Sequence, residues 1–524
     1  MQNQGRGQFR LGIDVGGTNT DAVLMCGRDV VATAKSFTTA DVRTGIVDVV
    51  TQLLDKAKVD RAQVQAVMIG TTQFVNAFIQ RRDLARVAVI RAGLPKGDGV
   101  PPMSDWPDDL MAAISPEIYM VRGGSHYTGT EYVPLDEDQV LDAILDARRK
   151  GCSAVALSAC FSPMRPDIEE RAAAVIAKAA PDMSITLSSQ VGGLGLIERE
   201  NATIINASLR DLSITVVQSM IDAFSEIGIP VPIYISQNDG TLISTAAASE
   251  FPILTCSAGP TNSIRGAAFL TGLDEAIIAD IGGTTTDIGF LLNGFPRETT
   301  AANTIGGVRT NFRMPDVLSI GLGGGSLIEK RNGVVTAGPR SVGFRLQSEG
   351  IVFGGTTLTA TDIAVRAGHV NIGDGAKVRH LSDDFISQAL DTIHDAVEIA
   401  VDQIKTSQTA MPLVLVGGGS ILLSRPISGA SAVLRPDHAE VANAVGAAIA
   451  LVSGRVDKMY DYGQIGRNNA IAQAKQEAIQ SAVDSGALAS AVEVIEVIEM
   501  PMTNMQTEAV QLKVRVAGPL AALT

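Results

Sequence analysis

The hydrophobic pattern changes period repeatedly along the chain. Over residues 9–37 the apolar runs FRLGIDV, TDAVLM and VVATAKSF are short and separated by turn residues such as CGRD. They predict a three-stranded antiparallel meander. GIVDVVTQLLDKA then moves to helical spacing. QAVMIGTT, QFVNAFIQRR and LARVAVIRAG predict strand, helix and strand. From Gly93 to about Pro107 the chain is rich in Gly, Pro and Asp and reads as an excursion. CSAVALSACF follows as a buried strand, and RPDIEERAAAVIAKAAP as a helix with Pro166 in its first turn. ITLSSQV and VPIYISQN predict strands on either side of a long helical region, ATIINASLRDLSITVVQSMIDAFSEIG. AIIADIGGTTTDIGFLLNG returns to strand–turn–strand. Residues 380–408 carry apolar positions at Phe385, Ala389, Ile393 and Val397 and predict a helix. MPLVLVGGGS predicts a strand running into glycines, and HAEVANAVGAAIALVSG a helix of small residues. Beyond Arg455, a solvent-facing helix over 467–484 and two paired strands, AVEVIEVIEMP and QLKVRVAG, predict a small α+β appendage.

Composition narrows the possibilities. With 524 residues, 46% of them hydrophobic, the chain is too long for one core and predicts two to four domains. Aromatics are only 4% while Ala, Val and Ile abound, which suits buried strands alternating with Ala-rich helices. A formal net charge of -14 argues against nucleic-acid binding, which needs concentrated Lys and Arg. Four scattered cysteines and five scattered histidines form no CxxC or His/Cys cluster, so neither a disulfide framework nor structural zinc is expected. The opening MQNQGRGQFR has no apolar signal segment, and later apolar runs are broken by Gly and Pro, so a cytoplasmic protein without membrane spans is expected.

The chemistry concentrates in LGIDVGGTNTDAV, Leu11–Val23. A dinucleotide fingerprint would lead from strand to helix, but TDAVLM is strand-like; a Walker loop would need Gly-Lys-Ser/Thr. What remains is a hairpin whose turn is glycine and hydroxyl. Gly16 and Gly17 let an anion approach the backbone, and Thr18, Asn19 and Thr20 add side-chain donors. Asp14 at the strand end suits Mg²⁺, directly or through water. Read alone, the stretch is equally a turn closed by Asx or Ser/Thr hydrogen bonds. A second copy shifts that balance: Asp280, Gly282, Gly283, Thr284, Thr285, Thr286 and Asp287 repeat the same order. Two such hairpins across a cleft would grip a polyphosphate and its metal from both sides. A third run, Gly417, Gly418, Gly419 and Ser420, offers side-chain-free backbone for adenine or ribose. Asp14 and Asp280 are the candidate metal and catalytic carboxylates. Asp21 and Asp287 are open between ligand contact and structural tie, Asp362 between helix cap and function, and Asp239 suits an Asx turn in QNDG. The run Gly321–Ser326 is either a cleft wall or a tight connection. Arg265 and Arg309 are the nearest basic candidates, and Glu198 and Glu200 are open between helix structure and substrate contact.

Together with MIGTTQFVNA, SSQVGGLGLIERENATIINA, IYISQNDGTLIS, SAGPTNSIRGA, IGLGGGSL and TATDIAVRAG, these motifs resemble the hydantoinase/oxoprolinase family, its HyuA-like subunits, within the actin/sugar-kinase/Hsp70 superfamily. The resemblance runs from residue 10 to about 450. It implies an α/β fold of two RNase H-like lobes, 1–205 with an insertion near 93–150 and 206–455, before a C-terminal α+β region over 456–524. It implies ATP between the lobes, Mg²⁺ bridging its phosphates to acidic residues, and ATP-dependent phosphorylation of a cyclic amide or another carbonyl compound. A HyuB-like partner subunit and a homo- or hetero-oligomer are further expectations, because no B region is present. Two positions depart from the pattern: Gln190 and Gln73 stand where His is common. A small-molecule kinase and a non-catalytic ATP-binding scaffold are the competing readings.

Overall fold

The computed structural model describes residues 8–17, 19–37, 41–299, 303–311, 314–502 and 508–523. The expected meander is present. Strands Phe9–Val15, Asn19–Cys26 and Asp29–Phe37 pair antiparallel in sequence order. Phe9–Val15 also pairs, in parallel, with Val64–Thr71, which in turn pairs in parallel with Ile233–Ser236. This order, a meander flanked by two parallel strands, recurs in the second sheet. There Phe295–Pro296, Thr286–Leu292 and Ala276–Ile281 are antiparallel neighbours, and Met411–Val416 and Ala430–Leu434 continue in parallel. The fold is therefore α/β with two lobes built on one repeated strand order.

Helices cover both sheets. Val42–Ala57 begins at Asp41, whose carboxylate accepts from the backbone N–H groups of Arg43 and Thr44. Its buried stripe of Ile46, Val49, Val50 and Leu53 lies against the first sheet and the long helix Leu196–Ile227. In the second lobe, Asp383–Ile404 buries Ile386, Ala389, Ile393 and Val397 in that lobe's core.

Sheet membership departs from the expected division of the chain. Ile233–Ser236 and Thr241–Ser244, placed beyond residue 205, belong to the first sheet, as does Leu451–Asp461. The helix read over 438–454 stops at Ala448, and Leu451–Asp461 is a strand. The C-terminal strands Ala509–Gly518 and Glu493–Pro501 do not form a separate appendage. They extend the same sheet to nine strands, with Ala509–Gly518 paired along Leu451–Asp461. Arg467–Asp484 is helical as expected but not free in solvent: Ala470, Ala474, Ala478 and Ala482 are fully buried against these strands. The excursion after Gly93 belongs to a larger unit. Glu117–Arg122, Val87–Leu94, Ala154–Ala159 and Ser184–Leu187 form a parallel four-stranded sheet with its own core. Ser188–Val191 is a helical turn rather than the end of a strand. Among the described residues, no helix is long and apolar enough to cross a membrane.

Candidate functional site

The two hairpins are equivalent in detail. In the first, Gly16 N–H donates to the Asn19 carbonyl at 3.0 Å; in the second, Gly282 N–H donates to the Thr285 carbonyl at 2.9 Å. Register then sets Asp14 directly opposite Asp21, and Asp280 directly opposite Asp287. Like charges facing each other across a strand pair are destabilising unless something intervenes. In the first hairpin Asn443 intervenes: its Nδ2 donates to Asp14 Oδ2 at 2.9 Å and to Asp21 Oδ2 at 3.1 Å. Lys35 Nζ lies 2.9 Å from Asp21 Oδ1. In the second, Ser263 Oγ donates to Asp280 Oδ2 at 2.5 Å, and Ser319 Oγ donates to Asp287.

One cleft of about 670 Å³ receives both turns. Asp14, Gly16, Gly17 and Asn19 line it from the first lobe; Asp280, Gly282, Gly283, Thr284 and Thr285 line it from the second. Gly417, Gly418 and Gly419 line it too, because Met411–Val416 is the parallel neighbour of Ala276–Ile281 and delivers the run beside Asp280. Gly417 sits at φ 79°, and a Cβ there would lie 2.3 Å from Asp280 Oδ1, so the position requires glycine. Gly324 also reaches the cleft, and the Gly321–Ser326 run is tied to the second turn by bonds from Gly324 N–H to the Gly282 carbonyl and from Gly325 N–H to the Gly283 carbonyl.

Other candidates fall elsewhere. Thr20 is buried in its strand and Ser420 is not part of the lining; Thr18 lies outside the described residues. Asp21 and Asp287 do line the cleft. Asp362 is a cap: it closes a capping box with Thr359 and accepts from Val352 N–H, fully buried. Asp239 closes the Asx turn, accepting from Thr241 N–H at 3.1 Å, and is paired with Arg455. Arg265 is buried over the Phe295 ring. Arg309 and Glu198 pair with each other, and Glu200 accepts from Arg91 and Ser158 in the interior. Lys35, Asn443, Ser263 and Ser319 escaped the sequence reading. Lys35 had only a partial signal: a regular meander would set Ala34 opposite Asp21, and a register shift at Leu24/Met25 brings Lys35 there instead. Asn443 had none, as 422 residues separate it from Asp21.

The cleft is electrostatically loaded. Burial, then the charges of Asp21 and Asp280, push the Asp14 carboxyl up to about 7. Burial also raises Asp280, and raises Asp287 to about 6. Asp14 Oδ1 is buried without a hydrogen-bond partner among the described residues. Such a group is costly until a cation reaches it. Among the described residues no three His, Cys, Asp or Glu side chains are grouped to hold a metal. A cage of that kind suits Ca²⁺ or Zn²⁺, whereas Mg²⁺ is ordinarily held by one or two carboxylates, water and substrate phosphates. Carboxylates from two lobes beside open backbone turns fit the latter.

Comparison with known proteins agrees with this layout. Residues 10–180 match the hydantoinase/oxoprolinase N-terminal region, and residues 199–374 match the hydantoinase/oxoprolinase model, together more than half of the chain. The chain belongs to the hydantoinase/oxoprolinase family. Within that family it is 27% identical over 390 residues to the caprolactamase subunit alpha of Pseudomonas jessenii, covering 70% of this chain and 55% of the relative. It is 24% identical over 396 residues to the acetophenone carboxylase gamma subunit of Aromatoleum aromaticum, covering 69% and 53%. The chain thus spans little more than half the length of these relatives. Its fold is that of two solved structures: ATP-dependent caprolactamase from Pseudomonas jessenii (TM-score 0.74, 20% identity, 98% of this chain and 88% of that one) and nucleotide-free acetone carboxylase (TM-score 0.71, 18% identity, 99% and 89%).

Proposed function

We propose that the cleft binds Mg-ATP and that the protein phosphorylates the carbonyl oxygen of a cyclic amide, committing the ring to hydrolytic opening. The observation that carries this reading is the pair of equivalent hairpins, Asp14–Asp21 and Asp280–Asp287, facing one cavity with their open turns. Backbone N–H groups of Gly17, Gly283, Gly418 and Gly419, with the Thr284 and Thr285 hydroxyls, are suited to phosphate oxygens, while the Gly417 N–H is spent on the Ala439 carbonyl. Asp14 and Asp280 would hold the Mg²⁺, which when bound neutralises charge developing on the transferred phosphoryl group. An amide carbonyl is a poor electrophile. Transfer of the γ-phosphoryl to its oxygen breaks the bond to ADP and opens the carbon to water; the tetrahedral adduct then expels the ring nitrogen as an amine, which opens the ring, and a second water cleaves the resulting acyl phosphate to carboxylate and phosphate. The names of the relatives, a caprolactamase and carboxylase subunits, are consistent with an amide or carbonyl acceptor and with a partner subunit that completes hydrolysis.

The test is lactam-dependent ATP hydrolysis, with and without a copurified partner, together with product analysis. Ring-opened amino acid and phosphate are the expected products. A stable phosphorylated product would make the protein a kinase. ATP binding without turnover in the presence of the partner would make it a scaffold.

A further inference from the structure

A second crevice, of about 460 Å³, shares no lining residue with the nucleotide cleft. Its charged side is an antiparallel strand pair. Leu451–Asp461 and Ala509–Gly518 set Arg455 directly opposite Arg515, and Asp457 directly opposite Lys513. Two arginines face to face repeat, with the sign reversed, the like-charge opposition of the cleft hairpins, and they carry the same cost until an opposite charge intervenes. Thr241–Ser244 pairs with the other edge of Leu451–Asp461 only as far as Val452. The crevice runs along the strand beyond that point and takes in Lys458 as well.

Four cations therefore line it, Arg455, Lys458, Lys513 and Arg515, against two carboxylates, Asp239 and Asp457. The carboxylates are saturated. Asp239 accepts from the Thr241 N–H and hydroxyl through one oxygen and from Arg455 through the other. Asp457 accepts from Gln511 Nε2 at 2.7 Å and lies 3.4 Å from Lys513 Nζ. The guanidinium donors are not saturated. Each guanidinium carries five N–H groups. Among the described residues Arg455 spends one on Asp239, and Arg515 spends one on Glu298 at 3.0 Å. An added anion can thus be bound without breaking either pair. Arg515 Nε is buried with no hydrogen-bond partner among the described residues, and the Glu496 carboxylate stays 4.0 Å away. The Arg515 side chain is only 12% exposed and lies over the Phe295 ring, which Arg265 also covers, so its guanidinium is held in place with a donor to spare.

The remaining lining says what kind of anion fits. Ile243, Ala247, Phe251 and Leu254 give the crevice an apolar wall. An inorganic oxyanion would leave that wall wet, whereas a carboxylate on a short hydrocarbon chain covers it. Asn311 Oδ1 is the other buried lining atom without a partner among the described residues; it lies against Gly192, where a Cβ would fall 2.7 Å from it, on the turn before the long helix.

We propose that this crevice binds a small aliphatic carboxylate, its charged end between Arg455 and Arg515 and its chain on the Phe251 wall. The site is separate from the nucleotide cleft and independent of the phosphorylation reading. The experiment is isothermal titration calorimetry on the full chain, free of metal and nucleotide, with hexanoate, hexanamide and acetate as probes. Hexanoate is expected to bind. Hexanamide keeps the chain and loses the charge, acetate keeps the charge and loses the chain, and each should bind at least tenfold more weakly. Arg515→Met should weaken hexanoate binding roughly tenfold or more, the worth of a charge-assisted hydrogen bond. Ala247→Trp, which fills the crevice from a partly exposed position and leaves every ion pair in place, should abolish it. Thermal melts followed by circular dichroism show whether the variants are folded; if Arg515→Met is not, Ala247→Trp and the three probes on wild type decide. Absence of hexanoate binding, hexanamide or acetate binding as tightly as hexanoate, or hexanoate binding unchanged in folded Ala247→Trp overturns the assignment.

Discussion

Asp14→Asn separates the stability of the cleft from its function. Asp14 is 4% exposed, faces Asp21 and Asp280, and has its carboxyl raised from 3.8 to about 7. A carboxyl raised on folding binds more protons in the native state, so its stabilising contribution is complete below the unfolded value and is lost as pH rises through the folded one. Three units correspond to about 4 kcal/mol at pH 8. At pH 5 a little over a third of that loss has accrued, so the ligand-free protein should lose about 2–3 kcal/mol between pH 5 and pH 8 through this group. The amide substitution keeps the shape, still accepts from Asn443, and removes the titration. Equilibrium urea unfolding of both proteins, free of metal and nucleotide, reads the difference. The variant should lose about 2–3 kcal/mol less than wild type between the two pH values. It should also lose the thermal shift given by Mg-ATP, since its anchoring charge is gone. An identical pH dependence in the two proteins would refute the electrostatic argument, and a retained Mg-ATP shift would refute Asp14 as the cation anchor.

Further outcomes are as specific. Gly446→Ala places a Cβ 1.9 Å from the Asn262 carbonyl, where helices Ala258–Thr271 and Ala442–Ala448 touch through backbone, and should cost about 1–3 kcal/mol in urea unfolding. Glu200→Ala strands Arg91 in the interior and should cost about 3–5 kcal/mol, whereas exposed Arg309→Ala should stay below about 1 kcal/mol by the same measurement. Lys35→Met should weaken the hold on Asp21 and raise the affinity for Mg²⁺ by removing a competing cation, read by titration of Mg²⁺ against the thermal shift.

Period alone located most strands and the long helices, because apolar runs such as AIIADI and MPLVLV have no other way to be buried. The paired hairpins were legible for a related reason: glycine and hydroxyl residues in a fixed order after a strand have few uses. Sheet membership was not legible. Leu451–Asp461 reads as the tail of a small-residue helix until one sees that Ala509–Gly518 offers it a full antiparallel partner. Arg467–Asp484 appeared solvent-facing because its buried stripe is all alanine, which has little hydrophobic contrast. The residues that tune the carboxylates, Asn443, Ser263 and Ser319, are ordinary polar residues brought in by tertiary packing, and local pattern has no term for that.

The nine-stranded sheet has a consequence for how the molecule comes into being. It draws strands from residue 9 to residue 518, and the whole second sheet is strung between Ser244 and Leu451 as an interruption of it. A chain emerging from the ribosome therefore completes the interrupting lobe before the lobe that began first. Strand pairing of such long sequence separation forms late and slowly. The cleft takes Asp14 from the first strand and Asn443 from the segment beyond the second sheet, so it is assembled only once the chain has been read past Asn443.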